Sequence, residues 1–152
     1  MKVLLQRVSR ASVSVDQAKV GEIGPGLVLL VGIARGDSEK DAQYLVDKIL
    51  HLRIFPDERG RFDLSVQDIG GSLLVISQFT LLADTRKGRR PDFTAAAPPE
   101  EAERLFNQFV ELLRRSGLTV ALGRFQQHML VEIWNDGPVT LLIDSRKSEN
   151  PA

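Results

Sequence analysis

The chain has 152 residues, equal numbers of acidic and basic side chains, hence no formal net charge, and no cysteine. That length fits one domain with a hydrophobic core of its own. Charge balance excludes a global field that would draw in nucleic acid, so any RNA contact must come from a local patch, and the missing cysteine excludes disulfides, thiolate metal sites and cysteine nucleophiles, in keeping with a reducing compartment.

The opening run Met1 to Arg7 carries charge too early, and an apolar stretch too short, for a signal peptide. No segment approaches the roughly 20 apolar residues of a spanning helix. A soluble cytoplasmic protein without a membrane partner is expected. Val13 and Val15 alternate with Ser12, Ser14 and Asp16, the pattern of a half-exposed strand. Gly24-Pro25-Gly26 reads as a turn. The unbroken run Leu27 to Ile33 suits a strand buried on both faces. A helix follows, capped by Asp37 or Ser38, with Ala42, Leu45, Val46, Ile49 and Leu50 on one face. Pro56 to Gly60 is a predicted turn, and Gly70-Gly71 leads into a buried strand from Ser72 to Phe79.

Pro98-Pro99-Glu100-Glu101 opens a second helix with proline and negative charge at its N-terminal end. Ala102, Leu105, Phe106, Phe109, Leu112 and Leu113 form its stripe, and Gly117 ends it. Strands are expected at Leu118 to Leu122, Met129 to Trp134 and Val139 to Ile143, with a rigid Gly137-Pro138 turn between the last two. From Ser145 onward the chain is polar and reads as mobile. The predicted organisation is a single α+β domain over 1–147, mostly antiparallel with two main helices, and a polar tail over 148–152.

Familiar catalytic and nucleotide-binding motifs are missing: no G-x-S-x-G elbow, no P-loop and no G-x-G-x-x-G. His51 and His128 are too few and too far apart for a zinc site, and each reads as structural or solvated. Asp57, Glu58, Asp63 and Asp68 read as solvated turn charges. No metal or cofactor is expected. Ser77 and Thr80 close an apolar strand, where sites tend to form. Nothing near them in sequence offers the base that a hydroxyl nucleophile needs; their hydroxyls could equally satisfy the strand terminus. Arg86, Lys87, Arg89 and Arg90 place four cations in five positions. They could hold phosphates or be solvated surface. Only about 5–6% of X-Pro bonds in folded proteins are cis, so trans is the default for Gly137-Pro138. Glycine there lets main-chain carbonyls approach a ligand closely.

Two separated signatures, Ser77-Gln78-Phe79-Thr80-Leu81 and Asn135-Asp136-Gly137-Pro138-Val139-Thr140, stand with the opening Met1 to Val8, the turn Gly24 to Leu27 and the basic loop to Pro91. Together they give the chain a full-length resemblance to the D-aminoacyl-tRNA deacylases, once described as D-tyrosyl-tRNA deacylases. The resemblance implies a homodimer that hydrolyses the ester joining a D-amino acid to the 3′ end of tRNA, with mischarged glycyl-tRNA as a second substrate. It implies catalytic positions at Ser77, Gln78, Phe79 and Thr80, with oxyanion donors among the backbone amides around Gln78 and Phe79. It implies a cis Gly137-Pro138 whose carbonyls grip the substrate amino group in the partner's pocket. Phe125 and Met129 become pocket wall, with core packing the equal alternative. Arg86, Lys87, Arg89 and Arg90 would hold the acceptor-end phosphates. The family pattern gives activation of water to the terminal ribose 2′-hydroxyl rather than to Thr80. Two rivals stay open: a non-catalytic RNA-end binder and a general esterase with Thr80 as nucleophile.

Overall fold

The computed structural model describes residues 1–146; the tail over 148–152 lies outside them. β1 (Lys2–Val15), β2 (Ala18–Ile23), β3 (Gly26–Gly32), β6 (Ser72–Ser77), β7 (Val120–Leu122) and β8 (Leu130–Asp144) form one sheet. β4 (Phe55–Pro56) and β5 (Phe62–Leu64) form a small hairpin across the predicted Pro56–Gly60 turn. α1 (Glu39–His51) and α2 (Pro99–Arg114) are the helices that the apolar spacing predicts.

The sheet is mixed. β1 pairs antiparallel with β2, β3 and β8, but β3–β6 and β6–β7 are parallel. The parallel pairs follow from the connections, since α1 lies between β3 and β6 and α2 between β6 and β7. The same strands are the unbroken apolar runs. Leu27, Leu29, Val31, Leu73 and Val75 pack in the larger core with both helices, while Val28, Leu74 and Ile76 face a second core. That second core is closed by Val8, Ala11, Val13 and Ile23, with Val131 and Ile133 of β8 against it. The sheet thus curls nearly into a barrel.

Ser38 caps α1: its backbone N–H donates to the Asp41 carboxylate at 2.8 Å. Asp37 turns inward instead. It lies 2.8 Å from the Met1 amino group and accepts the Ala34 N–H at 2.6 Å. The segment expected to be mobile from Ser145 is anchored at its start. The Ser145 hydroxyl bonds the Asp41 carboxylate at 2.6 Å, and Arg146 pairs with Asp37 at 3.0 Å. Burial pushes the Asp41 carboxyl upward, but the Ser145 and Ser38 hydrogen bonds outweigh it and hold the group below its ordinary value.

The largest departure from the sequence reading is at Gly137-Pro138. No turn separates two strands there; β8 runs on as one strand. In its pairing with β1, Gln6 faces Thr140 and Val8 faces Asn135. Asp136 to Val139 therefore bulge opposite the single residue Arg7. A bulge is where a strand tolerates proline, because no ladder bond is demanded of it.

Candidate active site

A cavity of 780 Å³ opens where β6 ends. Ser77, Gln78 and Phe79 line it from β6 and the 3₁₀ turn Phe79–Leu82; Phe125 and Met129 line it from the β7–β8 loop. These predicted site residues come together. Thr80 does not line the cavity; its hydroxyl accepts a hydrogen bond from the Gln78 side chain. The Gln78 N–H is already committed, donating to the Val31 carbonyl at 2.7 Å. It is therefore not an oxyanion donor. The first bond of the 3₁₀ turn is donated by Leu81 N–H to the Gln78 carbonyl at 3.2 Å, which leaves the Phe79 amide ahead of it. The Phe79 ring is 57% exposed and meets Phe93 edge-on at 5.1 Å, framing the mouth.

The cavity wall is mainly apolar and carries no carboxylate; its charged or titratable members are Arg35 and His128. Neither was singled out for this site in the sequence. Arg35 arrives because β3 runs past Gly32 and its end pairs with the segment before α2: the Arg35 N–H donates to the Ala95 carbonyl at 3.0 Å, and Nε to the Thr94 carbonyl at 2.8 Å. His128, expected to be structural or solvated, is exposed at the rim of the same cavity as Ser77, and no hydrogen bond joins the two. His51 fits the solvated reading, its ring nitrogen 2.8 Å from the Asp47 carbonyl on the exposed side of α1.

Asp84 and Asp92 exchange backbone hydrogen bonds at 2.8 and 2.9 Å and close the basic loop as a small hairpin. Its four cations are exposed. Arg86 is bound within the loop, forking onto both Asp84 oxygens at 2.9 and 2.6 Å. The Arg86 hydrogen bonds pull the Asp84 carboxyl down to about 2, so the pair is intact at neutral pH. Lys87, Arg89 and Arg90 make no ion pair among the described residues.

The Gly137-Pro138 peptide is cis, which the resemblance implies and the general X-Pro default does not. Both residues are exposed, and neither lines the cavity of its own chain. The bulge is braced from two sides. Asn135 Oδ1 accepts the Val139 N–H at 2.9 Å, and its Nδ2 donates to the Thr140 hydroxyl at 2.8 Å. Arg7 Nε donates to the Asp136 carbonyl at 3.0 Å, and Nη1 to the Ile54 carbonyl at 2.7 Å. The Arg7 side chain is buried, with the Phe62 ring 5.4 Å from its guanidinium carbon. Gly137 has φ +136°, and a Cβ there would lie 2.8 Å from Val139 Cγ2. Arg7 was missed as a support because nothing in sequence relates it to residue 136. A buried arginine in a strand is the one trace it leaves.

Among the described residues no helix is long and apolar enough to cross a membrane, and no group of three or more acidic or histidine side chains could hold a metal ion.

The model of the family described as D-Tyr-tRNA(Tyr) deacylase matches residues 4–144. A relative named D-aminoacyl-tRNA deacylase, from Heliobacterium modesticaldum, is 59% identical over 150 residues, spanning 99% of this chain and 100% of its own. One of the same name from Dehalococcoides mccartyi is 59% identical over 151 residues, spanning 99% of both chains. Among solved structures, the c-Myc DNA Unwinding Element Binding Protein superposes with a TM-score of 0.88 at 44% identity over the whole of both chains. A structure described as a probable eukaryotic D-amino acid tRNA deacylase shares the fold at TM-score 0.84 and 17% identity, over 94% of this chain and 98% of its own. On the full-length match of sequence and architecture, the chain belongs to the D-Tyr-tRNA(Tyr) deacylase family.

Proposed function

We propose that this chain hydrolyses the ester of D-aminoacyl-tRNA and spares L-aminoacyl-tRNA. Water adds its oxygen to the acyl carbon, the bond to the ribose 3′ oxygen breaks, and that oxygen leaves with a proton. The observation that carries the reading is a mainly apolar cavity without a carboxylate, in a chain that also displays a rigidly braced main-chain bulge. An aminoacyl ester is already activated, so positioning and oxyanion stabilisation suffice. A preorganised donor of this kind is worth roughly 2.7–4 kcal/mol, and the Phe79 amide is the candidate. The substrate's 2′-hydroxyl activates water.

The chain works as a homodimer. Gly137-Pro138 lies outside its own cavity, so a second copy must bring the bulge to it. Leu130, Trp134 and Leu142 expose more than half their surface on β8, the strand that carries the bulge. Two-fold dimers are the commonest closed assembly. Carbonyls of the bulge grip the substrate α-amino group. With amino group and ester fixed, an L side chain points into the Gly-Pro wall and a D side chain points away, so selection is by clash. Glycine has no side chain to clash, and glycyl-tRNA is accepted. Lys87, Arg89 and Arg90 contact acceptor-end phosphates, with Arg86 serving the loop itself.

The test is deacylation of matched D-, L- and glycyl-tRNA. Release of D-amino acid and glycine with L-aminoacyl-tRNA left intact is expected; equal loss of both hands would reject the wall. A second reading, nucleic-acid binding without hydrolysis, takes support from the name of the c-Myc DNA Unwinding Element Binding Protein. Under it every ester in the same assay survives.

A further inference from the structure

The loop joining β7 to β8, residues 123–129, forms one wall of the cavity through Phe125 to Met129. Its backbone is irregular, with Gln126 at φ +61°. Inside it the Gln127 N–H donates to the Arg124 carbonyl at 3.3 Å, and two further contacts fix its ends. At its start the Gly123 N–H donates to the Val75 carbonyl at 3.2 Å, hooking the loop to β6. Across its span the Met129 Sδ accepts the Arg124 N–H at 3.3 Å. The second contact depends on Gly123. A Cβ at that position would lie 2.6 Å from the same sulfur, so any side chain there displaces Met129. Between the two ends of this closure stands Phe125, its ring 6.1 Å from Phe106 of α2.

We propose that Gly123 and the Met129 sulfur form a clasp that positions the 123–129 loop, and Phe125 with it, for substrate binding. A thioether is a weak acceptor, but it is also polarizable and fills irregular gaps. Here one sulfur closes the loop and packs on the only residue type small enough to admit it. Gly123 is a positioning residue: it acts through Met129 and does not itself line the cavity. The kinetic part of this proposal rests on the deacylase reading above; the loop geometry does not.

Two perturbations test it. Gly123→Ala pushes the sulfur away. Peroxide attacks the sulfur directly: one peroxide oxygen transfers to the thioether, the O–O bond breaks, the other oxygen leaves as water, and sulfur is oxidised by two electrons. The chain has two methionines, and Met1 is 1% exposed, so mild treatment of the folded protein oxidises Met129 first. In both cases hydrogen exchange at the Arg124 amide should accelerate. KM for D-aminoacyl-tRNA should rise on the order of tenfold while kcat stays within about twofold. Methionine sulfoxide reductase should reverse the peroxide effect and leave the Gly123→Ala effect in place. Unchanged Arg124 exchange after stoichiometric oxidation of Met129 overturns the clasp, and so does faster exchange with an unchanged KM. If Gly123→Ala does not fold, the oxidised native protein carries both measurements. If the untreated protein releases no D-amino acid, the deacylase reading fails separately, and exchange at Arg124 and Phe125 still decides whether the sulfur orders the loop.

Discussion

The cavity at the end of β6 and the bulge in β8 are opposite kinds of construction. The first is concave, apolar and lined by side chains from several segments. The second is convex, exposed and made of main chain, with side chains serving only behind it: Arg7 and Asn135 hold its carbonyls and amides in place. A pocket tolerates change in one lining residue because others remain. A bulge of four residues opposite one has no such reserve. Chiral selection, if it is done by the bulge, should therefore be far more sensitive to small backbone changes than binding in the cavity is to side-chain changes.

Gly137→Ala should break this contrast hardest. The new methyl meets Val139 at 2.8 Å with φ at +136°, so the bulge must move. We expect a loss of hydrolysis or of D over L discrimination on the order of 100-fold and a stability cost of roughly 1–3 kcal/mol. Unchanged kinetics on both enantiomers would remove the bulge from the mechanism. Arg7→Met comes next. It strips two carbonyls of a charged donor, at about 1.5–3 kcal/mol, and should lower the melting temperature by about 2–4 °C per kcal/mol. Discrimination should fall together with stability; a melting shift alone would make Arg7 a core residue only.

Away from the bulge, Thr80→Ala behind the cavity and His128→Gln at its rim should each keep deacylation within about tenfold, below the 10²–10⁴-fold that positioned acid–base catalysis supplies. Complete loss in either variant, with fold and RNA binding intact, would restore a side-chain nucleophile or base. The smallest effects belong to the basic loop. Lys87→Ala, Arg89→Ala and Arg90→Ala should each flatten the salt dependence of tRNA binding by about 0.7–0.9 in log–log slope. Arg86→Ala should flatten it less, because Asp84 already neutralises that charge. Equal slopes for all four would show that the Asp84–Arg86 pair opens on RNA.

Both helices were legible because apolar spacing is a local property. The buried face predicted for α1, Ala42, Leu45, Val46, Ile49 and Leu50, is the one observed. In α2 the expected stripe packs on the core, Ala102 and Leu112 being only partly buried, and Val110, outside that stripe, is buried as well. Parallel pairing of β3 with β6 was not drawn from their unbroken apolar runs, although such runs carry that signal. Ser77, Gln78, Phe79, Phe125 and Met129 line one cavity, and His128 joins them from the same loop as Phe125 and Met129, whereas Arg35 and Arg7 reach their places through contacts between distant segments.

What the sequence determined by itself was whatever depends on near neighbours: two amphipathic helices, apolar strands, a clustered basic loop and the family signatures. Only the tertiary structure decided that Gly137-Pro138 is a bulge inside one continuous strand and not a turn between two. The reason is physical. A turn and a bulge can use the same local residues, and what separates them is whether another strand, here β1 with Arg7 at the mismatch, runs alongside to keep the ladder going on both sides.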